Sequence, residues 1–276
     1  MSIDIKFIRI AVILSALFFA SGKFCYANTA YMYWWQDDKD HEPNFGDDLS
    51  RVLVERITGY KMRCMNLDSN KKLLLAAGSI LHFARNNDII WGSGFREDPM
   101  LEKGFDNIDI RAVRGPRTRA YLLKKGINCP EVYGDPAVLT AYLFPEFKKQ
   151  TPKYDYIIIP NKGEIDCFTP YKNVVLPTEP WNEIIKKILQ SKLVISGSLH
   201  GIIVAESFGV PARLLKMTWI EALLKYQDYY ESTGRADFTY ATSVQEALRM
   251  GGERPGYIDI EPLLAAFPWD YFQQEP

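Results

Sequence analysis

Residues 193–212 have the pattern of a strand, a tight turn, a short helix and a second strand, and this pattern strongly constrains the fold. An apolar run at 193–195 precedes a Ser-Gly-Ser turn, apolar residues then recur at helical spacing, and Gly209 is a helix stop. His200 therefore falls in the first turn of a helix that follows a strand. In open α/β sheets this is where ligands bind and where backbone N–H groups attract anions. The pattern predicts a phosphate or carboxylate site with an imidazole beside it.

Short apolar runs and helical patterns alternate along the rest of the chain, which is typical of parallel sheets with helical crossovers. Residues 144–152 interrupt the alternation with a Pro-containing linker. We therefore predict an α/β protein with two Rossmann-like domains, residues 28–145 and 153–276, which face one another across a cleft. The strands are predicted at residues 31–35, 73–77, 88–91, 107–113, 154–159, 174–176 and 193–195. The helices are predicted at residues 47–58, 116–125 and 181–190, with a short helix that has His200 in its first turn and stops at Gly209, and with further helical stretches at 226–230, 244–250 and 260–267.

Charge and residue counts exclude some classes of function. The chain of 276 residues has a net charge of −1, which gives no electrostatic argument for binding nucleic acid. Of the four cysteines, Cys25 falls in the N-terminal segment, and the remaining three fit neither a disulfide framework, because their number is odd, nor a zinc site. The three histidines and the scattered carboxylates show no metal-ligand spacing, so no metal is predicted.

Residues 1–27 differ from the rest of the chain, because a basic start precedes a short apolar centre and small residues. This order predicts a signal peptide or a membrane anchor, with possible membrane association through residues 1–30. Two alternatives stay open: a translated leader before a true start at Met32, and an apolar extension of the fold. A signal or anchor indicates a secretory or membrane-associated protein.

Six stretches together resemble the polysaccharide pyruvyl transferase family, and they occur in the family's order. They are PNFGDDL at 43–49, GSILH at 78–82, IWGSG at 90–94, AVRGPRT at 112–118, YGDPA at 133–137 and SLHGIIVA at 198–205. The resemblance is to the short form associated with succinoglycan-type exopolysaccharides. It implies a GT-B-like fold and transfer of the pyruvyl group of phosphoenolpyruvate onto a sugar, which forms a pyruvate ketal. The implied partners are phosphoenolpyruvate as donor, with no cofactor, and an oligosaccharide or lipid-linked glycan as acceptor. The donor is a cytosolic metabolite, which favours the cytosolic face of a membrane.

The donor side is predicted in the C-terminal half together with two arginines. Arginine pairs bidentately with carboxylate and phosphate, and Arg114 matches a donor-binding arginine of the family, with Arg117 as a weaker candidate. Both can also be ordinary surface arginines at a helix start. His200 is the predicted general acid, toward the departing phosphate or the enol carbon, unless it is a core histidine bonded to backbone. The donor-binding set is Arg114, Arg117, Ser198, Leu199, His200 and Gly201, and the catalytic pair is His200 and Arg114. Some family members carry arginine where this chain has Ser198.

The acceptor side is predicted in the N-terminal half, at Asn44, Asp47 and His82. For Asp47, a structural role as a helix cap is as well supported as binding of the acceptor. Asp135 and Glu206 rank lower, because Gly-Asp-Pro is also a common turn and Glu206 can simply face solvent. Two other functions remain open: a nucleotide-sugar glycosyltransferase of the same build, with Glu206 on the ribose, and a non-catalytic carbohydrate-binding protein.

Overall fold

The chain folds into two parallel β-sheets covered by helices. The computed structural model describes residues 28–36, 42–97, 107–218 and 222–273. The first sheet has the strand order β2-β1-β3-β4-β5 and the second has the order β6-β7-β8, with every pairing parallel. The strands of the first sheet are β1 Thr29–Tyr33, β2 Lys61–Cys64, β3 Leu74–Leu75, β4 Ile89–Trp91 and β5 Asp109–Ala112. Those of the second are β6 Ile157–Ile159, β7 Val194–Ser196 and β8 Ala212–Leu214.

The helices connect these strands as crossovers and complete the C-terminal part of the chain. They are α1 Phe45–Thr58, α2 Pro116–Lys124, α3 Thr140–Leu143, α4 Trp181–Leu189, α5 Leu199–Ser207, α6 Leu224–Ser232, α7 Val244–Met250, α8 Ile260–Ala265 and α9 Trp269–Gln273. Short 3₁₀ turns occupy Leu81–Phe83, Pro136–Leu139 and Lys162–Phe168. The prediction of a mixed α/β protein with parallel sheets is confirmed. The division into two domains across a cleft stays a prediction.

Strands that are buried on both faces need continuous apolar runs. This requirement explains the composition of the strands in the second sheet. All three residues of β6 are isoleucines and all are buried, and the three residues of β7 are buried as well. One hydrophobic cluster extends from Met32 and Trp91 in the first sheet to Val194 in the second. Helix α1 contributes Leu53 to this cluster. The two sheets therefore share a core.

The C-terminal helices return to the first sheet. The Trp91 indole N–H donates to the carbonyl of Leu263 in α8 at 2.8 Å. The Tyr271 hydroxyl of α9 donates to the carbonyl of Tyr31 at 2.6 Å. Residues far apart in sequence thus complete the N-terminal half.

The predicted signal or anchor at residues 1–27 lies outside the described residues. Strand β1 begins at Thr29, so a chain starting at Met32 would lack the first part of a central strand. Among the residues that the structure describes, no helix is both long enough and apolar enough to cross a bilayer.

Candidate functional site

A cavity of about 440 Å³ lies where strands of both sheets end. Its walls come from the segments that follow β1, β3, β4, β6 and β7, and from the starts of α1, α5 and α6. The carboxyl ends of parallel strands are where α/β proteins bind ligands. The lining residues are Trp35, Asn44, Asp47, Ser79, Ile80, His82, Phe83, Arg96, Asn161, Lys162, Gly163, Ser198, Leu199, His200 and Lys225.

His200 lies in the first turn of α5, as the sequence predicts. The turn before the helix is held by Ser196, whose hydroxyl accepts a hydrogen bond from the Ser198 N–H at 3.1 Å and lies 2.8 Å from the Ile159 carbonyl. Gly201 lets the helix start pack against this hydroxyl, because a Cβ at residue 201 would lie 2.4 Å from Ser196 Oγ. The first-turn N–H groups of a helix have no intrahelical partner, so this helix start favours an anion.

Two neighbours define the orientation of the His200 imidazole. Its Nε2 atom is buried and lies 3.5 Å from Oδ2 of Asp135, whose carboxylate is fully buried. On the other side is Gly46 in the first turn of α1, where a Cβ would lie 2.0 Å from Nδ1, 2.5 Å from Cγ and 2.7 Å from Cε1. These three distances place the glycine over one face of the ring. The starts of α1 and α5 therefore meet at this histidine.

Two carboxylates near His200 have pKa values shifted in opposite directions. Burial raises the pKa of Asp47 to about 6, against the attraction of His200, Lys225 and Lys162. Burial also acts to raise the pKa of Asp135, but the attraction of nearby His200, the hydrogen bond from the Ala137 N–H and the attraction of Arg114 outweigh it, and the net shift of the pKa is downward. Opposite shifts in one site are typical of acid–base pairs, in which one carboxylate stays ionised and the other exchanges protons.

The Asp135 carboxylate is held by backbone donors at the end of the Gly-Asp-Pro segment. It accepts a hydrogen bond from the Ala137 N–H at 3.0 Å and a longer one from the Gly78 N–H at 3.4 Å. A Cβ at Gly78 would in turn approach Asp47 Oδ1 to 3.5 Å. The Asp135, Asp47 and His200 side chains thus come from three separate segments of the chain and converge.

Basic and aromatic side chains line the rest of the cavity. Lys162 follows β6 and its ammonium lies 5.6 Å from the centre of the Trp35 ring. Lys225 lies at the start of α6 and is buried. The His82 and Phe83 rings, whose centres lie 4.0 Å apart, also line the cavity. The cavity therefore combines a polar, cationic lining with flat apolar surfaces.

The structure brings most of the predicted site residues together. Asn44, Asp47, His82, Ser198, Leu199 and His200 line the cavity, and Gly201 is buried next to His200 in α5. Asn44 is the N-cap position of α1, without a capping side-chain bond, so Asp47 lies inside the first helical turn and is not the cap. Trp34 and Trp91 are core residues, whereas Trp35 faces the cavity.

The two predicted arginines lie outside the cavity lining. Arg114 is fully buried behind the wall and donates to Asp228 at 3.1 Å, to Ser79 Oγ at 2.7 Å and to the Phe95 carbonyl. Arg117 is exposed and forms an ion pair with Glu231 at 2.6 Å. The structure thus places both where they contact other parts of the protein, and a direct donor contact stays a prediction.

Helix α6 links the two halves behind the cavity. Besides Arg114, Asp228 accepts from the Thr118 N–H at 3.0 Å, at the start of α2. The Tyr226 hydroxyl donates to the Gly197 carbonyl at 2.6 Å, at the turn before α5. These bonds fix the start of α6, and with it Lys225, against both walls.

Sequence reasoning missed Lys162, Lys225 and Arg96, and it ranked Asp135 below the other candidates. Lys162 could have been found from its position just after a strand. Asp135 ranked low among the candidates because its Gly-Asp-Pro motif is also a common turn. Glu206 does not face solvent: it is buried, pairs with Arg235 at 2.7 Å and accepts from the Tyr229 hydroxyl at 2.6 Å. Within the described ranges, no group of three or more His, Cys, Asp or Glu side chains is placed to hold a metal ion.

Comparison with known proteins identifies the family. The chain is 30% identical over 216 residues to the succinoglycan biosynthesis protein ExoV of Rhizobium meliloti (strain 1021), which covers 73% of this chain and 64% of that protein. It is 27% identical over 195 residues to the uncharacterized protein L143 of Acanthamoeba polyphaga mimivirus, covering 64% of this chain and 63% of that one. The chain thus spans less than two thirds of the length of these relatives.

A solved structure of an uncharacterized protein from Klebsiella pneumoniae subsp. pneumoniae NTUH-K2044 matches with a TM-score of 0.49 and 14% identity, over 84% of this chain and 98% of that chain. A TM-score below 0.5 establishes no common fold. The model of the family described as polysaccharide pyruvyl transferase matches residues 28–216, which include every stretch that carries the sequence resemblance. The chain therefore belongs to the polysaccharide pyruvyl transferase family.

Proposed function

We propose that the protein transfers the pyruvyl group of phosphoenolpyruvate to a sugar of a polysaccharide or glycan and forms a pyruvate ketal. The observation that carries the proposal is the position of His200, at the meeting point of two helix starts in a cavity lined by basic side chains. Family membership supports pyruvyl transfer in polysaccharide biosynthesis, and the chemistry of the cavity supports phosphoenolpyruvate as the donor.

The cavity suits a small molecule that carries a phosphate and a carboxylate. The starts of α1 and α5 each present first-turn N–H groups, which favour negative charge. Arg96, Lys162 and Lys225 line the same cavity, and opposite charges attract strongly where water is partly excluded. We assign the donor to the α5 end of the cavity, beside His200 and Lys225.

The reaction requires one proton for carbon and a route for phosphate to leave. A proton is added to the methylene carbon of the enol, which becomes the methyl group, and one sugar hydroxyl adds to the neighbouring carbon. The C–O bond to phosphate then breaks, and a second hydroxyl adds to close the ketal. Of the two hydroxyl protons, one replaces the proton given to carbon and the other leaves with inorganic phosphate. His200 is the group that we assign to the proton transfers.

The aromatic side chains of the cavity suit an acceptor sugar. Trp35 and Phe83 present apolar ring surfaces there, and sugars pack on such surfaces while their hydroxyls bond to polar neighbours. Asn44 and Asp47 supply those polar groups, and a carboxylate with a pKa of about 6 accepts a hydroxyl proton near neutral pH. The buried pairing of Glu206 with Arg235 removes the ribose ligand that a nucleotide-sugar donor was predicted to use.

Calorimetric titration of phosphoenolpyruvate into the full chain tests the proposal. We expect saturable binding that weakens at least 10-fold in His200→Gln, because a hydrogen bond to a charged group is worth ~1.5–3 kcal/mol. Lys192→Met is the control, since Lys192 is exposed, pairs with Asp155 and lies outside the cavity lining, and it should bind as the wild type does. A folded wild-type protein that does not bind phosphoenolpyruvate but binds a nucleoside diphosphate would refute the proposal.

A further inference from the structure

The His200 ring has two different nitrogen environments, and the difference decides which nitrogen can act on a ligand. Nε2 is buried, has no hydrogen-bond partner of good geometry, and faces Asp135 Oδ2 at 3.5 Å. A buried polar atom without a partner is costly, and a shift of the imidazole by ~0.5 Å toward the carboxylate would complete a bond of normal length. Catalytic hydrogen bonds are often long in unliganded sites and tighten when a ligand binds.

The Asp135 carboxylate is built to stay in place and to stay ionised. It is fully buried, its Oδ1 accepts from the Ala137 N–H at 3.0 Å, and its Oδ2 lies 3.4 Å from the Gly78 N–H. An ionised carboxylate only accepts hydrogen bonds, so the imidazole atom facing it must carry a proton. This favours the tautomer with the proton on Nε2.

Gly46 covers the ring face near Nδ1 without blocking the plane of the ring. A Cβ at residue 46 would lie 2.0 Å from Nδ1 but also within 2.7 Å of both neighbouring ring carbons, which is possible only above the ring. Gly46 therefore does not block the in-plane approach to Nδ1, and since Nε2 is buried, Nδ1 is the nitrogen through which His200 can reach a ligand in the cavity that it lines.

We propose that Asp135 is a positioning residue that holds the proton of His200 on Nε2, so that Nδ1 is the nitrogen that exchanges a proton with the bound donor. The identity of that donor rests on the proposed function, whereas the tautomer does not. Asp135 itself touches no ligand, because its side chain is enclosed by His200 and by backbone N–H groups.

Nitrogen-15 NMR of histidine-labelled full chain tests this directly. The chain has three histidines, and His200→Gln assigns the signal of interest. In the neutral imidazole we expect the Nε2–H form to dominate in the wild type. Asp135→Asn should lose this fixed preference, because an amide can donate as well as accept. Asp47→Asn is the matched control: it removes a carboxylate from the same site without touching Nε2, so the tautomer should stay as in the wild type.

Either of two results overturns the inference. One is a wild type in which Nδ1–H dominates, which is decisive even if Asp135→Asn does not fold. The other is a folded Asp135→Asn protein with an unchanged tautomer. Addition of phosphoenolpyruvate separates the two proposals: we expect it to shift the Nδ1 signal more than the Nε2 signal. If it shifts neither while the tautomer is as expected, the donor assignment fails and the role of Asp135 stands. A larger shift at Nε2 would contradict the assignment of Nδ1.

Discussion

Replacement of Gly46 by alanine should damage the donor site while leaving the fold stable. Gly46 lies in the first turn of α1 with an ordinary helical backbone, so alanine would be expected to stabilise the helix by up to ~1 kcal/mol. The added Cβ, however, would lie 2.0 Å from His200 Nδ1, whereas ordinary contact begins near 3.4 Å. The imidazole must therefore move by ~1.4 Å, the difference between these two distances.

A displacement of this size removes the alignment that a charged hydrogen bond needs. We expect Gly46→Ala to lose ~1.5–3 kcal/mol of phosphoenolpyruvate binding, a roughly 10- to 150-fold weaker affinity by calorimetry. The melting temperature should change by no more than ~4 °C in either direction.

Gly209→Ala is the control with the reverse expectation. Gly209 lies just beyond the C-terminal end of α5 at a φ of +69° with open space around it. An L-residue there costs ~1–2 kcal/mol of stability and changes nothing in the cavity. Gly46→Ala that binds phosphoenolpyruvate as tightly as the wild type would refute the reasoning, because it would mean that His200 does not need this position to bind the donor.

Two further predictions concern buried charges. Because the pKa of Asp47 is raised from 3.8 to about 6, the folded state binds more protons, and the free energy of unfolding should fall as pH rises through that range, by up to ~3 kcal/mol. Urea denaturation of Asp47→Asn should lack this decrease and show a more stable protein at pH 8, while an unchanged pH profile would contradict the shift. Arg114→Met should cost ~3–5 kcal/mol because it leaves Asp228 buried and unpaired, whereas Arg117→Met should cost less than ~1 kcal/mol. A stable Arg114→Met protein that fails to bind phosphoenolpyruvate would instead support direct contact between Arg114 and the donor.

Local patterns predicted the helices well and the strands less well. Helix α1 ends at Thr58 as predicted, because Gly59 adopts a φ of +72° that ends the helix. The start of α1 was predicted at Asp47 but lies at Phe45. A glycine at residue 46 is typical of a turn, and only the structure shows that it is a helical residue without a side chain because His200 occupies that space. The apolar run at 73–77 forms a strand only at Leu74–Leu75, because apolar burial does not require ladder pairing.

Features that depend on distant residues could not be predicted. Strand β2 was missed because only Met62 among its four residues is buried, so the segment lacks the apolar run of a central strand. Arg114 was interpreted as a ligand-binding arginine at a strand end. Its partner Asp228 lies 114 residues later in the sequence, on α6, and no local sequence pattern predicts this contact.

The return of the C-terminal helices to the first sheet has a consequence for how the chain is made. The Trp91 indole N–H donates to the carbonyl of Leu263, which lies 172 residues later in the sequence. Tyr31 and Tyr271 bond across 240 residues. A ribosome adds residues in order, so the core of the N-terminal half cannot be completed until α8 and α9 have been synthesised. During synthesis its apolar surface is exposed to neighbours and chaperones, and a truncation only a few residues before α8 would leave that surface open permanently.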